Sequence, residues 1–163
     1  MSNNSINPIT IQDAKIIYRN FRGEGSAFNA KGKRNFSIVF NDADLVNDLL
    51  EDGWKLKPLK PRDDDDEQAW QMPVEVKYRD MSGNEVRPPE VYLCTYPNGK
   101  LKKTRLTEDT IGMLDFAEIA KVDLIIRPYE WEMNGKTGIK AYLKTMYITV
   151  VEDELADKYE EEE

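Results

Sequence analysis

Asn134-Gly135 separates two long runs in which apolar and polar residues alternate, and that dipeptide is the most specific hairpin signal in the chain. Before it, 122–131 puts Val122, Leu124 and Ile126 on one face and Asp123, Ile125 and Arg127 on the other. After it, 138–151 is the return strand, with Lys140, Tyr142 and Lys144 on one face and Ile139, Ala141 and Leu143 on the other. A side-chain period of two is the strand period. Shorter segments upstream carry the same signature: 10–21, 35–40, 54–59, 71–79 and 90–96 read as strands. Gly23 and Gly25, Ser82-Gly83-Asn84, Pro88-Pro89 and Pro97-Asn98-Gly99 punctuate them. Two segments read as short helices. In 42–52, Asp42 or Asp44 caps, Leu45, Val46, Leu49 and Leu50 form a stripe, and Gly53 stops the helix. In 107–119, Thr107 caps, with Glu108 and Asp109 against the positive end of the helix dipole. Six or seven strands joined mostly by turns predict a mainly β, antiparallel sheet with one or two short helices. A small Greek-key barrel or a sandwich satisfies that pattern.

The domain occupies 9–151, after a short lead-in over 1–8 that lacks the basic and apolar regions of a signal peptide. No apolar run approaches the ~20 residues that span a bilayer, so no membrane role is expected. The chain has 23 basic and 31 acidic residues, yet this acidity is local. The last twelve residues, 152–163, hold eight acids and one base, so seven of the eight net negative charges sit there. Asp63, Asp64, Asp65, Asp66 and Glu67 make a second acidic run, in a loop over 61–69. What remains is mildly basic. A like-charged terminal block repels itself into disorder and serves as an interaction tail or a solubilising one. Being mobile and acidic, it can also imitate nucleic-acid phosphate and cover a basic groove.

Catalytic classes are narrowed by what is missing. There is no histidine, which removes the commonest general base and the commonest zinc ligand. The one cysteine, Cys94, follows Val91, Tyr92 and Leu93 and reads as a buried strand thiol. Gly23-Glu24-Gly25 lacks the rest of a phosphate-binding fingerprint, so no nucleotide cofactor is expected. The run 63–67 has enough carboxylates for a magnesium nuclease. Consecutive acids on one loop diverge, however, whereas metal ligands come from separated positions on rigid elements. Asp115 and Glu118 share a face of the expected second helix without a completing partner. The chain therefore reads as a non-enzyme with no catalytic residues, no metal site and no cofactor.

Basic and aromatic residues interleave in three places. Tyr18, Arg19, Phe21 and Arg22 are followed by Phe28, Lys31, Lys33 and Arg34. Tyr92, Tyr96, Lys100, Lys102, Lys103 and Arg105 repeat the mixture, and Arg127, Tyr129 and Trp131 make a third instance. Lys140, Tyr142 and Lys144 add a ring between two cations. Single-stranded nucleic acid needs this combination, because cations neutralise phosphates and flat rings stack on unpaired bases. The competing structural reading is that small β domains bury their aromatics.

These parts together resemble the single-stranded DNA-binding proteins of tailed bacteriophages. The segments that carry the resemblance are 14–40, a strand, basic loop and strand, and 122–151, the terminal hairpin that runs into the acidic tail. It implies an oligonucleotide-binding (OB) barrel over 9–151 and sequence-nonspecific binding of single-stranded DNA by the residues just named. It also implies that Glu160, Glu161, Glu162 and Glu163 help the tail contact replication or recombination proteins, in the cytoplasm of a bacterial host. A homo-oligomer is compatible with it. The tail ends in four glutamates rather than the apolar residue of many bacterial relatives. Two other classes stay open at this stage: a protein-binding phage accessory protein or nucleic-acid mimic acting through acidic surface, and the carboxylate-metal nuclease. If the tail covers a DNA groove, deleting 152–163 tightens oligothymidine binding and flattens its salt dependence. Fluorescence anisotropy measures both, and unchanged affinity would refute the covering role.

Overall fold

The structure is a computed structural model and describes residues 7–25, 32–59, 68–80 and 82–151. The acidic tail, most of the acidic loop and most of the lead-in fall outside those residues. Among the described residues nine strands form one sheet: β1 (Ile9–Ile11), β2 (Lys15–Asn20), β3 (Arg34–Phe40), β4 (Lys57–Leu59), β5 (Ala69–Val76), β6 (Glu90–Thr95), β7 (Lys102–Leu106), β8 (Ile119–Met133) and β9 (Lys136–Val150). Among the described residues the one α-helix, α1, is Ala43–Asp52. The main path runs β1-β8-β9-β5-β3-β2. Its two ends, β1 and β2, are separated in sequence only by Gln12, Asp13 and Ala14, so the sheet coils until its ends meet at that corner. This is the strand order of an OB barrel if β1 and β2 count as one bent strand.

The corner has a local cause. Asp13 takes a positive φ of 52°, and its N–H donates to Asp123 Oδ1 at 3.0 Å. The next amide, Ala14 N–H, donates to the Val122 carbonyl at 2.8 Å. Lys121 Nζ lies 3.8 Å from Asp13 and 3.7 Å from Asp123 and offsets their like charge. The strand expected over 10–21 is thus two strands joined by a turn that β8 holds.

Inside the coil, strand alternation packs Phe36, Ile38, Met72, Val74, Leu124, Ile126, Met146 and Ile148, all essentially inaccessible. At about 25 cal/mol per Å² of apolar area removed from water, such residues supply the main folding drive. The hairpin at Asn134-Gly135 is present with both residues at positive φ, as a tight type I′ turn demands. The helix is also as expected. Asp42 Oδ1 accepts from the Asp44 and Leu45 amides, Gly53 ends it at φ 104°, and Val46 and Leu49 are its buried residues. Leu45 and Leu50 of the expected stripe are instead substantially exposed.

Two expectations are corrected. The sheet is mixed, not wholly antiparallel: β9 pairs in parallel with β5 (Val74↔Ala141, Glu75↔Tyr142) and with β6 (Glu90↔Thr145 to Cys94↔Thr149). Parallel pairing needs a long crossover, and the chain between these strands and β9 supplies one. The second correction concerns 107–119, where the only regular turn is 3-10, over Ile111–Asp115. Its carbonyls are claimed from outside: Arg19 Nη1 donates to Leu114 O at 2.8 Å and to Ala117 O at 2.7 Å. Asp115, in turn, accepts from the Phe21 and Arg22 amides at 2.7 and 3.1 Å. Long-range partners thus replace the i→i+4 ladder a helix would need.

Asp115→Ala leaves the part-buried Phe21 amide and the exposed Arg22 amide without their acceptor and is expected to destabilise the fold by about 1–3 kcal/mol. Urea denaturation measures this, and an unchanged midpoint would show that the turn does not depend on Asp115.

Candidate nucleic-acid interface

The side chains that alternate away from the core define the outer face of β2, β3, β5, β9 and β8. Small or flat residues line its centre: Ser37 on β3 and Pro73 on β5 are register partners. The result is a shallow depression of about 240 Å³. Lys33, Lys55 and Lys140 line it, with Glu75 as its one acid and Tyr18 as its exposed ring. Lys140 Nζ is 3.7 Å from Glu75. Tyr18 sits where the β2–β3 register slips between Ile17 and Asn20. Its φ is 54°, and its side chain is 64% exposed. A bulge of this kind re-aims a side chain, here outward beside the lysines.

On β8 and β9 the same face continues as cross-strand pairs. Tyr129 opposes Lys140 and Arg127 opposes Tyr142. The Tyr129 and Tyr142 rings are 5.3 Å apart at 33°. Arg127 and Lys77 each lie 5.5 Å from the Tyr142 ring centre. Tyr142 is buried beneath them; that burial, with Glu75 next to it, raises its phenol above the usual range. Tyr129 is 52% exposed and presents a ring to solvent. Further along, Trp131 opposes Gly138, and a Cβ at Gly138 would lie 2.7 Å from the indole. Glycine is therefore what lets the indole lie against β9.

At the opposite edge of the face, cations are already compensated. Arg79 grips Glu108 through Nε at 3.0 Å and Nη2 at 3.1 Å. Arg34 Nη2 donates to the Glu108 carbonyl at 3.3 Å and its guanidinium lies 5.5 Å from the Tyr78 ring centre. The Tyr78 hydroxyl is buried with no hydrogen-bond partner among the described residues. Burial chiefly, and Glu108 in addition, push its pKa up to about 12, against the pull of Arg34 and Arg105.

The face therefore gathers Tyr18, Lys33, Arg127, Tyr129, Lys140 and Tyr142, with Trp131 at its hairpin end. Other expected residues lie elsewhere. Phe21 is fully buried and stacks on Phe36 at 5.3 Å, so it has no face to offer a base. Arg19 is spent on the 3-10 turn, and Arg22 on Glu24, Asp115 and the Phe116 ring. Tyr92 stacks on Tyr147 at 5.2 Å beneath Lys103. Tyr96, Lys100 and Lys102 surround the tip of the β6–β7 hairpin, while Arg105 and Lys144 line a separate cleft. Phe28, Lys31 and Glu160 to Glu163 lie outside the described residues. Lys77 was legible as the next outward position after Glu75. Lys55 and Tyr147 were not, because a helix end and a bulge bring them into place. Among the described residues no three His, Cys, Asp or Glu side chains converge as a metal site.

Comparison with known proteins gives two findings. The family model of the phage ssDNA-binding domain matches residues 1–162. The fold is similar to the single-stranded DNA-binding protein of bacteriophage Enc34. Its C-terminally truncated form superposes with a TM-score of 0.53 at 11% identity, over 90% of this chain and 88% of that one. The form in complex with ssDNA gives 0.51 at 13% identity, over 93% and 98%. At such identities the likeness is one of fold. Comparison with curated protein sequences finds no match.

The raised pKa of Tyr78 has a pH signature. The neutral phenol is favoured in the folded chain, so its contribution to stability is complete below the ordinary value of 10.0 and is lost as pH rises toward about 12. Alkaline absorbance titration should resolve one phenol at about 12 that Tyr78→Phe removes. A titration unchanged by that substitution would refute the assignment.

Proposed function

Because the chain belongs to the phage ssDNA-binding domain family, we propose that it binds single-stranded DNA without regard to sequence along the outer face of β2, β3, β5, β9 and β8. The observation that carries this reading is the single solvent-facing surface on which Lys33, Lys55 and Lys140 stand beside the exposed rings of Tyr18 and Tyr129. Lysines on flexible stems neutralise phosphates wherever the strand runs, and counterion release makes that term strong at low salt. Rings stack on unpaired bases for roughly 1–3 kcal/mol each, and every base offers a face, so no base is preferred. Paired bases in a duplex keep their faces covered, which selects single strands. The reading involves no chemical step: the protein holds and protects the strand during phage DNA replication or recombination in the host cytoplasm. In it, the acidic segment 152–163 competes with DNA for this basic face and recruits replication proteins when DNA displaces it.

Anisotropy of labelled oligothymidine, titrated with salt, tests the face. Tyr129→Ala should weaken binding by about 1–3 kcal/mol. Lys33→Ala with Lys140→Ala should flatten the log–log salt slope by about 1.4, at ~0.7 per phosphate contact. No binding, even after removal of 152–163, would overturn the reading.

A further inference from the structure

β9 changes partners along its length. Its first half is flanked by β5 as far as Tyr142, and its second half by β6 from Thr145 onward. Between these ladders the β8–β9 register also slips, Ile126 pairing Leu143 and Ile125 pairing Thr145. Lys144 is therefore the extra residue of a bulge, placed where the sheet forks. A cleft of about 170 Å³ opens there. Arg87, Arg105, Arg127 and Lys144 line it, and Glu90 is its one acid.

Among the described residues, none of these four cations is in an ion pair. Arg22, Arg34 and Arg79 each have a carboxylate, and Arg19 has two carbonyls. Like charges brought together without partners oppose folding, so a site that keeps four of them suits an anionic ligand. Beyond the cleft, Tyr92 and Tyr147 stack at 5.2 Å and 14°, with Lys103 5.9 Å from the Tyr147 ring centre. Tyr142 and Tyr147 are five residues apart on β9, about 16 Å at strand rise. From Tyr142 to Tyr147 the surface carries a ring with Lys77 beside it, the cations of the cleft, and a ring with Lys103 beside it.

We propose that this fork is a second DNA-binding element: the cleft takes backbone phosphates and steers the strand off the barrel face onto a stacking platform formed by Tyr92 and Tyr147. This rests on the single-stranded DNA reading and lengthens its path, adding Arg87 and Tyr147 to the residues that bind. The bulge is its geometric device, because the extra residue shifts the alternation of β9 so that Tyr147, and not Met146, faces outward beyond the cleft.

The test is a length series of oligothymidines from about 4 to about 16 nucleotides, the range for one OB barrel. Wild type is compared with Arg87→Ala/Arg105→Ala and, independently, with Tyr147→Ala. Arg87 and Arg105 are exposed and in no ion pair among the described residues, so the double variant should keep its unfolding midpoint. On the shortest oligomer both variants should equal wild type. On the longest, each should bind about tenfold more weakly or worse. The double variant should also lose about 1.4 from the salt slope there alone. Equal affinity at every length, or an equal loss at every length, would overturn the second element while leaving the barrel face standing. Failure of wild type to bind any oligomer would take down both readings.

Discussion

β9 is the strand on which this molecule depends. It is hydrogen-bonded to β8 along nearly its whole length and on its other edge to β5 and then β6. Its inward residues, Ile139, Ala141, Leu143, Met146 and Ile148, supply a continuous wall of the core. Because one strand belongs to both branches of the sheet, anything on its outer face is held rigidly between them. Lys140, Tyr142 and Tyr147 owe their spacing to that shared backbone. A strand paired on both edges opens only with its neighbours, so the side chains on this face are held in fixed relative positions.

Charge is segregated by the same logic. Arginines near the 3-10 turn and the edge of β5 are consumed by carboxylates and carbonyls and act as structural ties. Lysines and the arginines of the fork stay outward. Acidity is concentrated in two runs, 63–67 and 152–163. A pI of 4.8 therefore coexists with a sheet face that gathers lysines.

Sequence reading recovered the elements governed by local physics. The terminal hairpin followed from alternation and Asn134-Gly135, and α1 from Asp42, its apolar spacing and Gly53. It failed where distant residues decide. The segment 107–119 has good helix signals, yet Arg19 and Asp115 divert its backbone partners. Phe21 belongs to a basic-aromatic run, yet it packs on Phe36, because the corner and bulge of the first strand change which side chains face inward.

Of the site, composition and alternation by themselves determined a mainly β fold, a mildly basic body and the outward pairing of Lys140 with Tyr142. Those properties depend on neighbours within a few residues, and a period of two is enough to set them. The tertiary structure decided which cations are free and which rings are open. It did so through two parallel ladders, a bulge at Lys144 and a positive φ at Tyr18, each fixed by contacts between residues far apart in the chain, which no local pattern encodes.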